Sequence, residues 1–213
     1  MARIDHLMWA ASDLDRGMDW AASTFGVAPA HGGSHVGLGT RNALLSLGDV
    51  YLEIIAPDPE QDLTDTLGER IAALKQDGLA TWCASADLAQ QSAAFAARGI
   101  RCRGPQRTER RTTASDLLIW ELLFPTTGTY GGCMPFFIDW LDCAHPASTN
   151  PLAGRFTELE ITHADAAGLS AALGETVQDV QIRGGTAATL IARVTLGEGS
   201  ATLTSTGETL GLF

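Results

Sequence analysis

One local pattern occurs twice in this chain of 213 residues, and it limits the possible folds more than any other feature. "ASDL" at 11–14 and "SADL" at 85–88 each follow a short apolar segment with the composition of a β-strand. Each motif is followed by apolar residues at helical spacing, and each predicted helix ends at a glycine, Gly26 or Gly99. The repetition predicts two copies of one strand–helix unit.

The segments after each predicted helix have the composition of further strands. Ser12 is the predicted N-cap of the first helix, with Asp15 as its capping-box partner. Because a Gly-Asp pair is a hairpin signal, the last two strands of the first copy are expected to pair. Three strand candidates follow each helix, at 29–38, 42–47 and 50–56 in the first copy and at 101–112, 116–125 and 134–141 in the second.

The order of these elements divides the chain into four segments. Residues 1–58 form a first βαβββ module, 59–78 a linker with a short helix, and 79–146 a second βαβββ module. Residues 147–213 form a C-terminal extension that resembles a third, degenerate module, with one strand, one helix and strands of alternating polarity. We therefore predict an α+β fold.

Composition excludes some classes of protein. The net charge of −11 argues against a nucleic-acid-binding surface. No apolar run approaches the roughly 18 residues that a membrane-spanning helix needs, and no segment has the pattern of a signal peptide. The four cysteines lack CxxC spacing and are expected to be reduced. We expect a cytoplasmic protein with no membrane and no nucleic-acid partner.

Six of the fourteen basic residues are concentrated in one short segment. One interpretation is a charged edge strand that resists unwanted sheet pairing. The other is a local site for an anion, because guanidinium groups bind carboxylate or phosphate in bidentate fashion. The six are Arg98, Arg101, Arg103, Arg107, Arg110 and Arg111.

Five segments together resemble the vicinal-oxygen-chelate superfamily, and within it the glyoxalase-like domain group. They are "IDHL" at 4–7, "SDLD" at 12–15, "GGSHVGLGTRNALLSLG" at 32–48, "YLEIIAP" at 51–57 and "PFFIDW" at 135–140. The resemblance covers roughly residues 3–146. It implies paired βαβββ modules that form curved mixed sheets around a cleft, often with one divalent metal, and often a homodimer. Superfamily activities include isomerisation, epimerisation, extradiol ring cleavage and thiol transfer to epoxides, so the fold does not select one.

His6 and Glu53 are the first candidates for a site in that cleft. Strand alternation places His6 on one face with Ile4 and Met8, and Glu53 on one face with Tyr51 and Ile55. A carboxylate among apolar neighbours needs a metal, a proton or a cationic partner. Imidazole and carboxylate suit a divalent metal, whereas Arg41 would make an ordinary ion pair with Glu53.

The second module departs from a four-ligand centre. Ala80 takes the place equivalent to His6, and Phe137 the place equivalent to Glu53, and neither side chain can bind a metal. Asp139, on the face of Phe137, is the remaining acidic candidate. Without it, the glycine-rich segment supplies His35 and, less directly, His31. The predicted metal ligands are His6, His35 and Glu53, for zinc, manganese, nickel or iron.

Several other residues are candidates for binding a small-molecule ligand. Glycines in the 32–39 segment let backbone N–H groups approach a ligand, and an Arg-Asn pair beside a pocket can fix an oxyanion, although both features also serve turns. Tryptophans on strands line a pocket or simply fill the core. The candidates are His35, Arg41, Asn42, Tyr51, Trp82, Trp120 and Phe137, with Trp140 beside them. His145 and His163 are predicted to be surface residues.

Two hypotheses about function follow. The first is an enzyme of the lyase, isomerase or dioxygenase type that acts on an oxygenated metabolite, either vicinal-oxygen or carboxylate-bearing, with Glu53 and Asp139 as catalytic groups. The second is a metal-free protein of the same fold that binds and sequesters a small molecule, and the missing ligands of the second module favour it.

Overall fold

The computed structural model describes residues 2–111, 117–174, 177 and 180–213. The side chains of Arg110 and Arg111, two members of the predicted arginine cluster, lie outside the described residues. No helix in the described ranges is both long and apolar enough to cross a membrane.

The elements run in the order strand, helix, three strands, three times over. The first set is β1 (Arg3–Ala10), α1 (Leu14–Phe25), β2 (Ala30–His35), β3 (Thr40–Ser46) and β4 (Tyr51–Pro57). After α2 (Leu67–Ala72), the second set is β5 (Gly78–Ser85), α3 (Leu88–Ala97), β6 (Cys102–Arg111), β7 (Leu117–Pro125) and β8 (Phe136–Asp139). The third is β9 (Arg155–His163), α4 (Ala166–Leu173), β10 (Val180–Gly184), β11 (Thr189–Thr195) and β12 (Ser200–Thr204), followed by α5 (Gly207–Leu210).

The first two sets form one sheet of eight strands, in the order β2-β3-β4-β1-β5-β8-β7-β6. In each set the first strand pairs in parallel with the last, and the two sets join through antiparallel β1 and β5. The order is therefore symmetric about that joint. The edge strands β2 and β6 come close to each other, so the sheet curls into a cup. The predicted α+β fold with paired modules is confirmed.

The two repeated motifs end in equivalent helix caps. Asp13 accepts a hydrogen bond from the backbone N–H of Arg16, so Asp13 and not Ser12 is the N-cap of α1. The Ser12 hydroxyl instead accepts from the guanidinium of Arg16. Asp87 caps α3 in the same way as Asp13 caps α1. Gly26 ends α1 with φ of 71°, a left-handed conformation that glycine adopts without strain.

The core lies on the convex side of the large sheet. One continuous cluster contains residues from β1, β4 and β5, from α1 and α3, and from the C-terminal extension. Leu7, Ile54 and Trp82 have no exposed surface in it. Smaller clusters lie on the concave side, including one with Met8, Ile55, Ala80 and Leu212. The strands therefore bury one face under helices and turn the other towards the cup.

The C-terminal extension covers part of the convex side with a sheet of its own. Its strand order is β10-β9-β11-β12, in which β9 pairs with parallel β10 and antiparallel β11. The order of elements is that of a module, but the pairing of strands is different. Because Leu159, Ile161 and Leu203 join the main core, the extension shields apolar residues of the large sheet from water.

Candidate functional site

A β-bulge near the start of β1 determines which side chains enter the cup. The pairing of β1 with β5 shifts register between Ile4 and His6, which leaves Asp5 as an extra residue. Ile4 packs into the convex core. A bulge turns two successive side chains towards the same side, so Asp5 and His6 both face the cup. The expectation that Ile4 shares a face with His6 is wrong for this reason.

Asp5 is a buried carboxylate that side chains surround. Its Oδ1 lies 2.8 Å from His6 Nδ1, and its Oδ2 accepts from Trp140 Nε1 at 3.1 Å and lies 3.1 Å from His145 Nε2. Burial raises the pKa of Asp5, but hydrogen bonds from His145 and His6 outweigh it and lower the pKa to about 2. Asp5 is therefore ionised, and it holds His6 by the Nδ1 atom.

Glu53 lies beside His6 in the cup, with 6% of its surface exposed. Its Oε1 accepts a hydrogen bond of 2.6 Å from Asn42 Nδ2. Its Oε2 lies 3.6 Å from His6 Nε2, and Oε1 lies 3.7 Å from His35 Nε2. Four residues that the sequence singled out, from three neighbouring strands and β1, are thus brought together.

The orientation of Asn42 determines how His35 presents its ring. The backbone N–H of Gly33 donates to Asn42 Oδ1 at 3.0 Å, so the amide nitrogen must point towards Glu53. The same nitrogen lies 3.4 Å from His35 Nε2, and His35 Nδ1 lies 3.0 Å from the Thr40 hydroxyl. Each histidine thus has Nδ1 held by a partner and Nε2 directed at Glu53.

Aromatic rings line the cup around this group. Tyr51 stacks on His6 with ring centroids 4.5 Å apart, and Phe136 meets His6 edge-on at 5.4 Å. Trp120 and Trp140 contact each other at 5.4 Å. Tyr51 and Trp120 therefore lie where the sequence predicts, and their role in binding stays a prediction.

Four predicted site residues lie elsewhere. Trp82 and Phe137 belong to the convex core, because alternation gives the cup-facing positions to their neighbours Cys83 and Phe136. Arg41 alternates with Asn42 and lies near Asp58, whose pKa it helps to lower, although burial acts in the opposite direction as the largest cause. Asp139 pairs across the strands with Glu121, on the face of Phe137, and accepts from the Leu141 backbone.

Sequence reasoning missed three residues of the site. Asp5 was not predicted, because the alternation of polar and apolar residues does not reveal a β-bulge. His145 was predicted to be a surface residue, but its side chain is only 32% exposed and reaches Asp5 from a segment 140 residues away. Phe136 was passed over for Phe137, because the alternation of a four-residue strand can be placed in either register.

Comparison with known proteins identifies the family. The family model described as a glyoxalase-like domain matches residues 4–177. The chain belongs to the glyoxalase-like domain family. The matched residues include all five segments on which the resemblance in the sequence rests. A search of curated proteins found no match to this chain.

Solved structures similar to this glyoxalase-like protein share its fold. A hypothetical protein from Staphylococcus aureus superposes with a TM-score of 0.70 at 16% identity, over 88% of each chain. A methylmalonyl-CoA epimerase in complex with methylmalonyl-CoA and NH4+ gives 0.52 at 21% identity, over 68% of this chain and 99% of that one. A Streptomyces coelicolor epimerase variant in complex with 2-nitronate-propionyl-CoA gives 0.51 at 22%, over 68% and 98%.

The Glu53 group of this glyoxalase-like protein offers the types of ligand atom that a divalent metal binds. It offers two imidazole nitrogens and a carboxylate, and oxygen and nitrogen ligands of one ion at about 2.1 Å lie roughly 3.0–3.4 Å apart. The observed separations are longer than that range, at 3.6 Å from His6 Nε2 to Oε2 of Glu53 and 3.7 Å from His35 Nε2 to Oε1, so the side chains would have to move closer to share one ion. Hydrogen bonds that hold the Nδ1 atom of a histidine are the usual support of a ligand that binds through Nε2.

Asp5, His6 and Cys83 form a second candidate metal group in the described part of the chain, with ligand atoms within 4.8 Å of one another. Burial, reinforced by the charges of Asp5 and Glu53, raises the pKa of Cys83 well above its usual value. A metal there would have to displace the proton of the thiol, because metals bind the thiolate. A metal there would also displace the Asp5–His6 hydrogen bond, whereas the Glu53 group leaves it in place.

Proposed function

We propose that this protein is an enzyme that moves a proton on a small oxygenated metabolite, in a lyase or isomerase reaction, with Glu53 as the base. The observation that supports it most is the position of Glu53. It is a buried carboxylate in an aromatic cup, with one hydrogen-bond donor, Asn42, and two histidine Nε2 atoms beside it. A carboxylate held in such a cup can remove a proton from carbon next to a carbonyl group.

Each neighbour of Glu53 has a separate part in this reaction. Asn42 fixes the carboxylate by its Oε1 atom, so Oε2 is the oxygen that takes the proton. Tyr51, Trp120 and Phe136 exclude water, which strengthens electrostatic interactions in the cup. Asp5 is a positioning residue, because it acts through the ring of His6. Return of the proton from Glu53 to a neighbouring atom would give isomerisation, whereas epimerisation would need a proton from a donor or water on the other face of the carbon.

A divalent metal is part of the proposal. His6, His35 and Glu53 would hold it, and zinc, manganese, nickel and iron all suit such a set. When bound, the metal polarises oxygens of the substrate and stabilises negative charge on them. We keep a cytoplasmic homodimer as the expected form of the enzyme.

The alternative is a metal-free binding protein. The second half of the cup supports it, because Cys83, Trp120, Ile138 and Phe136 make that wall apolar. Ala80, which stands in the place of a ligand, lies in an apolar cluster as well. Such a protein would hold a small molecule without changing it.

Exchange of a substrate proton with solvent tests the proposal. The protein would be incubated in D2O with methylmalonyl-CoA, a 2-oxo acid and a 2-hydroxy ketone, each with manganese, nickel, zinc or iron(II) supplied separately. Loss of the proton on the carbon next to the carbonyl is followed by NMR. We expect Glu53→Gln to slow exchange at least ~100-fold, with the melting temperature changed little because glutamine still accepts from Asn42.

Glu121→Gln is the matched control. Glu121 is a partly buried carboxylate on the opposite face of the sheet, so its replacement should leave exchange unaltered. Equal rates for the native protein and Glu53→Gln would exclude Glu53 as the base. Tight binding of a compound from this panel with no exchange under any metal would favour the sequestration alternative.

A further inference from the structure

A cavity lies at the end of the cup that Phe136 and Leu212 line. It has a volume of about 410 Å³, and its lining includes Arg70, Thr81, Arg103, Phe124, Phe136 and Leu212. The Phe136 ring meets His6 at 5.4 Å and stacks on Phe124 at 5.6 Å. Phe136 therefore lines this cavity and also contacts His6, which places the cavity beside the Glu53 group.

Two arginines stand at this cavity from different parts of the chain. Arg70 comes from α2 in the linker, and its Nη1 donates to the carbonyl of Leu212 at 2.6 Å. Arg103 comes from β6, and its guanidinium carbon lies 4.7 Å from the centre of the Phe124 ring. Both guanidiniums are held by these contacts, which lowers the entropy lost when they bind a ligand.

The charges of these arginines are not matched by acidic side chains. Within the described ranges, carboxylates pair with Arg16, Arg183 and Arg193, but none pairs with Arg70 or Arg103. Other described arginines, such as Arg98, Arg101 and Arg155, have no such pair either, so the position of Arg70 and Arg103 at one cavity is what distinguishes them. Arg70 uses one hydrogen bond for Leu212 and keeps further N–H groups for another acceptor. Two arginines without acidic partners beside aromatic rings suit a ligand with an anionic end and an apolar body.

We propose that this cavity binds an oxyanion, a phosphate or a carboxylate, of a ligand whose apolar body packs on Phe124 and Phe136. Arg70 and Arg103 hold the oxyanion. The inference rests on the proposed function, because it makes the oxyanion the anchor of the same molecule whose reacting carbon lies at Glu53. It narrows the substrate class to metabolites that carry an anionic group at a distance from the reacting carbon.

Binding of simple probes tests the cavity without any need for turnover. Phenyl phosphate and benzoate, which separate the two kinds of oxyanion, are titrated against the protein by calorimetry. We expect Arg70→Gln and Arg103→Gln each to weaken binding of the preferred probe about 10-fold or more, because each removes a charge-assisted hydrogen bond. Arg107→Gln, from the same strand as Arg103 and exposed but not in the cavity lining, should change affinity less than about twofold.

Unaltered affinity in both Arg70→Gln and Arg103→Gln, or no binding of either probe at millimolar concentration, would overturn the proposal. Arg70→Gln also loses the bond to Leu212, so Arg103→Gln serves as the variant that leaves that contact in place. Probe binding by Glu53→Gln distinguishes failure of the anion site from failure of the proposed proton transfer. If this variant binds the probes normally while no substrate exchanges protons in the native protein, the anion site stands and the proposed reaction fails.

Discussion

At the residue scale, Asp5 supplies a buried negative charge to the candidate site and holds His6 in position. It is ionised and almost fully buried, and its partners are His6, His145 and Trp140. A buried carboxylate is costly unless hydrogen bonds compensate for the lost water. The bonds from His145 and Trp140 come from a distant part of the chain, so they form only when the chain folds, and the charge of Asp5 then contributes to the stability of the folded protein.

Asp5→Asn should lower stability in a pH-dependent manner. The pKa of Asp5 falls from 3.8 to about 2 on folding. A lowered folded pKa stabilises the protein above the unfolded pKa, and that contribution is lost as pH falls through the folded pKa. We expect urea unfolding to show a loss of about 2 kcal/mol at pH 7, of which about half remains at pH 3. A difference that stays constant from pH 7 to pH 3 would contradict this account.

At the scale of elements, α1 lies unusually close to the sheet. A Cβ atom at Gly17 would lie 2.8 Å from Ala11 Cβ and 2.8 Å from Ile54 Cγ2. Real side chains do not approach so closely, so the glycine permits the distance between helix and strands. The same helix stacks Trp20 on Trp9 with centroids 3.8 Å apart. The position of α1 therefore depends on Gly17, although glycine has a low helix propensity.

Gly17→Ala tests that packing. In an exposed helix the change would stabilise by about 1 kcal/mol, since alanine favours helices. Here the added methyl group must displace β1 or β4, which costs about 1–3 kcal/mol, so the sign reverses. Denaturant unfolding should show a net loss of stability. Ser23→Ala, on the exposed side of α1, is the control and should be neutral or slightly stabilising. A stabilised Gly17→Ala protein would show that α1 has room to move.

At the scale of the whole molecule, each strand of the large sheet serves two environments. The convex face packs under helices and the C-terminal sheet, and the concave face forms the cup. One end of the cup is closed by apolar residues from three separate regions, with Leu212 against Met8, Ile55 and Ile71. Leu212 thus closes this end of the cup and also lines the cavity at Arg70 and Arg103.

Leu212→Ala should therefore destabilise the whole domain. Leu212 is 4% exposed, and truncation of a buried leucine costs about 2–4 kcal/mol. Phe213→Ala is the matched control, because Phe213 is 43% exposed and should cost less than about 1 kcal/mol. Urea unfolding of the two variants would measure the contrast. Similar losses in both would mean that Leu212 does not contribute to the core.

Local sequence patterns predicted much of this structure. The repeated motifs with Asp13 and Asp87, the glycine at the end of α1 and the alternation in β4 predict elements and faces, because caps, turns and strand periodicity depend on neighbours in sequence. His6, Asn42 and Glu53 were found in this way, because they lie on strands that the resemblance places side by side. His35 was found from the glycine-rich segment that precedes Asn42.

The sequence by itself determined the element order, the two modules and the group around Glu53. Only the tertiary structure decided that Asp5 turns into the cup, that His145 reaches it, and that Trp82, Phe137 and Asp139 face away. A bulge moves all later side chains of a strand to new faces, and contacts across 140 residues leave no local pattern. Packing therefore decided which polar groups share a site.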